Sequence, residues 1–196
     1  MRAPVLLALV AIGSPAHADG FGEVALGLAI PVANDNWTNL VEPSPKVAVR
    51  GGAMSGDFGG MLGLDWIPQS LDNGGGSFGI GSTNSSVQRF RAIASAVFHH
   101  RVAPKVTLSG RAGVGIDLVH GSFDVTILGS TSTTSDTDVG YAFEFGAGVW
   151  FDLAGKQVGF ELAIPIGHHN KHAQNSNELT ADWTSVDVDL LVGLRF

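Results

Sequence analysis

Apolar and polar residues alternate with period two along most of this chain. At the C-terminus, Val186, Val188, Leu190, Val192, Leu194 and Phe196 share one parity, and Asp187, Asp189, Leu191, Gly193 and Arg195 share the other. In a β-strand those two sets point to opposite faces. The same alternation sets Val106, Leu108, Ala112, Val114, Ile116 and Leu118 against Thr107, Ser109, Arg111, Gly113 and Asp117. It recurs as Val158, Phe160, Leu162, Ile164 and Ile166 against Gln157, Gly159, Glu161, Ala163 and Pro165, and again from Val24 to Ile30. The pattern predicts eight strands, at about 22–31, 46–53, 58–67, 87–98, 105–119, 139–151, 157–167 and 180–196.

The predicted connections sort by length. Those after strands two, four and six are short: Met54 to Asp57, His99 to Pro104, and Asp152 to Lys156. Those after strands one, three, five and seven are long, at about 32–45, 68–86, 120–138 and 168–179. Strict alternation with an even strand count predicts a closed, antiparallel, up-and-down transmembrane β-barrel. Such a barrel has short periplasmic turns, longer extracellular loops and both chain ends on the turn side.

A soluble eight-stranded barrel of lipocalin type would carry the same alternation with its apolar face inside. The composition of the polar face separates the two. A water-facing surface is dense in Lys, Glu, Gln and Thr, whereas here that face is mostly Gly, Ala and Ser with few charges. Small residues suit the crowded interior of a narrow barrel. By parity the interior receives Lys46, Arg50, Arg89, Arg91, Arg111 and Arg195 together with Glu23, Asp65, Asp117, Glu144, Glu161, Asp187 and Asp189. This nearly balanced set is expected to pair into a lumenal charge network, since buried charges are tolerated when paired and hydrogen-bonded. Phe58, Phe98, Trp150, Phe151 and Phe196 at the turn ends, with Trp66, Tyr141 and Trp183 at the loop ends, suggest two aromatic girdles.

Composition agrees. Only 15% of the 196 residues are charged, glycine numbers 27, and mean hydropathy is +0.23. Beyond the N-terminus no apolar run is long enough for a membrane helix. The chain begins with Arg2, an apolar stretch from Pro4 to Ile12, and Ala16-His17-Ala18. That three-part order predicts a cleaved export signal over 1–18 and a barrel domain over 19–196. The formal net charge is −7, and removing Arg2 with the signal makes it −8. An acidic chain is not expected to bind nucleic acid. There is no cysteine.

The terminal stretch Val-Asp-Val-Asp-Leu-Leu-Val-Gly-Leu-Arg-Phe resembles the C-terminal signature of bacterial outer-membrane barrels. The chain is similar to the small eight-stranded barrels of outer membrane protein A, X and W type and to the opacity proteins. The resemblance implies that Val192, Leu194 and Phe196 form an assembly signal read by the barrel-assembly machinery, with outer-membrane lipid as the surrounding partner. Members of this group serve in adhesion, anchoring, and the passage of small hydrophobic solutes.

Candidate chemistry is sparse. His168, His169 and His172 could offer imidazoles to zinc or copper, but they are read here as part of a polar extracellular loop. His120 and Ser122 share the outward parity and resemble the His-x-Ser pair of outer-membrane lipid A deacylases. There the pair is followed by asparagine, and here by Phe123. The glycines at 74–76, 79 and 81 form no phosphate-binding fingerprint, because no helix follows, and no cofactor is expected. Leu28-Ala29-Ile30-Pro31 recurs as Leu162-Ala163-Ile164-Pro165, which is read as two strand exits. The first expectation is a non-enzymatic surface barrel, with 68–86 and 120–138 as the segments facing an extracellular ligand. A narrow channel ranks second, and a lipid A-modifying enzyme third.

Overall fold

The computed structural model describes residues 19–33, 42–70, 81–127, 130–170 and 182–196. The export-signal segment 1–18 lies outside them. Eight strands run in chain order: β1 (Asp19–Ala33), β2 (Ser44–Ser55), β3 (Phe58–Ser70), β4 (Gly81–Ala103), β5 (Val106–Ile127), β6 (Ser130–Leu153), β7 (Lys156–Asn170) and β8 (Asp182–Arg195). Each pairs antiparallel with its neighbours, and β1 pairs with β8 to close the barrel. The seam extends to the chain end. Phe196 N donates to Gly22 O at 2.9 Å, and Gly22 N donates to Phe196 O at 2.8 Å.

The turn end is tight. Gly56-Asp57, Pro104-Lys105 and Ala154-Gly155 join the strand pairs. Ala154 and Gly155 both have positive φ, 50° and 85°, as a two-residue hairpin of the primed type demands. Glycine adopts that backbone freely, and alanine does not.

At the opposite end the strands run further than the alternation indicated. A membrane crossing needs roughly 9–11 residues per strand, yet β4, β5 and β6 contain 23, 22 and 24. The segment 120–138 is therefore not a long loop. β5 and β6 pair continuously from Val106↔Phe151 to Ile127↔Ser130, and β4 pairs with β5 as far as Gly81↔Ile127. β3 leaves β4 at Ser70↔Ser86, and β7 leaves β6 at Gly140↔His169. A three-stranded sheet thus rises beyond the rest of the wall. The expected connection 68–86 shrinks to 71–80, which lies outside the described residues, as do 34–41 and 171–181.

The two Leu-Ala-Ile-Pro repeats are not strand exits. β1 continues to Ala33 and β7 to Asn170, and the two prolines flank β8 from either side. Pro31 lies opposite Asp187, and the β7–β8 pairing passes from Ala163↔Asp189 to Ile166↔Val186. Proline has no N–H to give the ladder, so β8 receives fewer bonds at this level.

Burial is inverted relative to a water-soluble barrel. Leu62, Leu64, Leu26, Val114, Phe145 and Phe160 are among the exposed side chains, while Lys46, Arg89, Arg91, Asp117, Glu144 and Asp189 are at most 1% exposed. Large apolar groups on the outer face and charges within are what a wall between hydrocarbon and a polar interior requires.

Candidate functional site

The interior is filled by charged side chains that the strands bring together from distant parts of the sequence. One row of directly opposed residues runs Asp65–Arg91–Asp117 across β3, β4 and β5. Above and below it, two networks occupy the lumen.

The loop-side network centres on two arginines and two aspartates. Arg89 Nε donates to both oxygens of Asp117, at 2.9 and 2.8 Å, and its Nη1 donates to Asp187 at 2.8 Å. Its Nη2 also reaches Ser185 Oγ at 2.5 Å. Arg91 donates to Asp187 and lies 3.4 Å from Asp117. A planar guanidinium with five donors suits this shared arrangement. Gly167 supplies the space, since a Cβ there would stand 2.5 Å from both Arg89 and Asp117.

Below this, Asp65, Glu144 and Asp189 converge, with carboxylate oxygens within 4.8 Å of one another. Lys46 Nζ stands among them, 2.5 Å from Asp65, 2.5 Å from Asp189 and 3.9 Å from Glu144. A tethered ammonium thus holds the position that a bound cation would take. No spacing in the sequence announces this cage, because its four members sit on four strands.

The turn-side network links Glu23, Arg50, Glu161, Arg111, Glu144 and Arg195. Arg50 Nη1 donates to Glu23 at 2.6 Å and to Glu161 at 2.9 Å. Arg111 donates to Glu161 at 2.7 Å and also to Glu144. Arg195 Nη2 donates to Glu23 at 2.9 Å, and its guanidinium lies 3.8 Å from the centre of the Trp150 ring.

Trp150 corrects the aromatic-girdle assignment. It is 1% exposed and its Nε1 donates to Ser109 Oγ at 2.9 Å. Within β6 the outward residues are Tyr141, Phe143, Phe145 and Phe151, all odd, so even-numbered Trp150 points inward. The indole lies over Gly159 and Gly193, where a Cβ on either residue would collide with the ring. Phe58, Phe98, Phe151, Phe196, Trp66 and Tyr141 do lie on the outer face. The side chain of Trp183 is outside the described residues.

His168 and His169, the two described members of the histidine cluster, do not converge. β7 carries both His168 and His169, so the two point to opposite faces. His168 is half-buried and its Nδ1 pairs with Thr184 Oγ1 at 3.0 Å. His169 is fully buried, with Nε2 3.4 Å from Asp117 and Nδ1 3.3 Å from Asp138. It extends the loop-side network toward solvent, and its parity with Glu161 and Ala163 was the signal that could have placed it. His172 lies outside the described residues. On the outer face, His120 Nδ1 pairs with Thr137 Oγ1 at 2.8 Å, and Ser122 Oγ pairs with Ser86 Oγ at 2.8 Å. A catalytic histidine would be oriented at that nitrogen by a carboxylate. The side chain of Asp124 is outside the described residues.

A cavity of about 10 Å³, close to one water, lies among Glu23, Met61, Val97, His99, Ser109, Arg111, Glu161 and Arg195. A wider, open cavity of about 410 Å³ lies at the turn end, beside Phe21, Arg101, Asp152, Gln157, Arg195 and Phe196.

The architecture recurs in solved structures. The chain superposes on a major outer membrane protein from Thermus thermophilus with a TM-score of 0.53 and 12% identity, covering 91% of this chain and 100% of that one. It superposes on Ail, the attachment invasion locus protein of Yersinia pestis, in complex with the heparin analogue sucrose octasulfate. There the TM-score is 0.51 and the identity 16%, covering 91% and 99%. This is the fold of the small outer-membrane β-barrels. No family model and no curated protein matches the chain. At such low identity the likeness concerns the fold, and this barrel's interior has to be read from its own residues.

Proposed function

We propose that this chain is an outer-membrane barrel that does not conduct, and that it acts at the cell surface through what it carries above the membrane. The observation that supports this most is the filled lumen. Among the described residues thirteen charged side chains, six basic and seven acidic, occupy the interior, with side-chain exposures of 0–7%. The ion pairs connect the loop-side and turn-side networks through the Lys46–Glu144 contact. An ion entering would have to break several of these pairs at once. Eight-stranded barrels in general are just wide enough for their own side chains.

In this reading 1–18 is removed on export, and Val192, Leu194 and Phe196 present the last strand to the assembly machinery. These three side chains are 49%, 38% and 63% exposed and share the outer face. The surface-acting part is the β4–β6 extension with the connection 71–80. Catalysis is not part of the proposal. His120 and Ser122 hydrogen-bond to different hydroxyls, and this pairing does not favour a nucleophile–base couple.

The test is a planar bilayer recording with the purified full chain. A silent bilayer is the expected result. Steady unitary currents would replace the proposal with the narrow-channel reading. Lipid A altered by the wild-type chain but not by a Ser122→Ala variant would replace it with the enzyme reading.

A further inference from the structure

The barrel is filled at its middle and open at its turn end. The cavity of about 410 Å³ there is lined by Phe21 of β1, Arg101 of β4, Asp152 of β6, Gln157 of β7 and Arg195 of β8. Each of these residues has the inward parity of its strand, so the cavity is the mouth of the barrel interior and not a groove on its outer wall. Its size falls within the roughly 300–1,000 Å³ of small-molecule sites.

Arg195 forms the inner end of this mouth. Its side chain is 7% exposed, and its guanidinium lies 3.8 Å from the centre of the Trp150 ring and 5.2 Å from that of Phe21. Nε and Nη2 are committed to Glu23, at 3.3 and 2.9 Å. Among the described residues Nη1 has only the Gln157 Oε1 contact, at 3.4 Å, which is longer than an ordinary N–H···O bond. One edge of a buried cation is thus under-served at the cavity wall.

The charges of the mouth cancel in pairs, with one left over. Arg101 Nη2 donates to Asp152 Oδ2 at 2.9 Å, and Gln157 Nε2 donates to Asp152 Oδ1 at 2.6 Å. Glu23 answers Arg195. Lys156, exposed on the rim, pairs with no carboxylate among the described residues. Asp57 is taken by His100 on the outer side, at 2.8 Å, and Asp19 does not line the cavity. Arg101, Lys156 and Arg195 against Asp152 and Glu23 leave one positive charge. Beside it Phe21 brings a half-buried ring to an aqueous mouth. The ring lies over Gly52, where a Cβ would stand 2.9 Å from it, so it is seated against the wall with part of its surface left to the cavity.

We infer that the turn-end mouth is a binding site for a small monocarboxylate with an apolar body. Lys156 and Arg195 Nη1 are the donors for its carboxylate, and Phe21 is the surface for its body. Water can solvate the ammonium but gains nothing from the ring, whereas such a ligand uses the ammonium, the under-served guanidinium edge and the ring together. The single surplus charge matches a monoanion and is exceeded by a phosphate dianion. The wall itself already holds one carboxylate, that of Asp152, by an arginine and an amide. The site lies at the end opposite the β4–β6 extension, so it goes beyond the surface role proposed above.

The test is an NMR titration of the full chain, isotope-labelled and folded in a neutral detergent, with 3-phenylpropanoate. Signals of Phe21, Lys156 and Arg195 should shift and saturate together. The neutral analogue 3-phenylpropanamide should bind about tenfold more weakly, and Lys156→Gln should lose about tenfold in affinity for the carboxylate while Lys156→Arg keeps it. Lys156 stands outside the lumenal networks, so both variants should keep the boiled-versus-unboiled gel shift of the wild type. No saturable shift at the mouth, equal binding of the amide, or unchanged affinity in Lys156→Gln would each overturn the inference. So would equal affinity for inorganic phosphate. Shifts confined to outer-face residues such as Phe58 and Phe98 would mean that the probe only partitions into detergent, and would overturn it as well.

Discussion

The two faces of the barrel wall are built from the same strands and obey opposite rules. Inside, Arg89, Arg91, Lys46, Asp117, Asp187 and Asp189 are almost wholly buried, and each is held by at least one partner of opposite charge. Outside, Leu62 is 70% exposed, Leu64 65% and Phe145 56%, and in the outer-membrane reading proposed above they face lipid. The interior is a set of mutually dependent pairs, so deleting one member strands others. The outer face is additive, so an apolar exchange matters little and a charge matters by its depth in the bilayer. Specificity of packing therefore lies within, and compatibility with the membrane lies without.

The largest effect is expected where one interior residue serves several partners. Asp117→Ala leaves Arg89 and Arg91 short of a carboxylate and should destabilise the folded barrel by about 3–5 kcal/mol. Urea unfolding in lipid vesicles reads this. Lys46→Met should cost a similar amount, because Asp65, Glu144 and Asp189 then face one another without a cation. Adding Asp65→Asn and Asp189→Asn to Lys46→Met should recover much of the loss, and failure to do so would mean that the cage is not held by charge balance.

On the outer face, Leu62→Arg should cost about 2–4 kcal/mol in a bilayer, as for other charges near a barrel's midplane. In the same assay Leu62→Val should be nearly silent. Gly159→Val, which forces the Trp150 indole off its seat, should cost about 1–3 kcal/mol. The smallest effect is a gain. Ala154→Gly relieves the positive φ at the β6–β7 turn and should stabilise by about 0.5 kcal/mol.

The alternation was legible because each crossing strand keeps one parity for its whole length in the membrane, which is what period two records. The eight-strand closed barrel follows from that, as does the division of side chains between faces. What escaped was everything that departs from a single parity. The extension of β5 and β6 carries Ser, Thr and Asp and changes its apolar parity at Gly121, so it read as a loop. Its strand character comes from pairing, with Ile127 opposite Ser130 and Gly81. For Trp150 a position near a strand end suggests the outer girdle, while its even number assigns it to the interior. His169 adjoins His168 in sequence, yet consecutive residues of a strand face apart. The Lys46 cage was not legible at all, since the stagger of four strands brings residues 46, 65, 144 and 189 to one level.

The central claim is that the apolar face meets lipid and the charges lie within. The most direct measurement is a heat-modifiability gel on membrane fractions from cells expressing the full chain. The account predicts that the protein is found in the outer-membrane fraction and migrates differently boiled and unboiled, because a lipid-facing barrel resists detergent until heated. An unshifted band recovered in the soluble periplasmic fraction would contradict it.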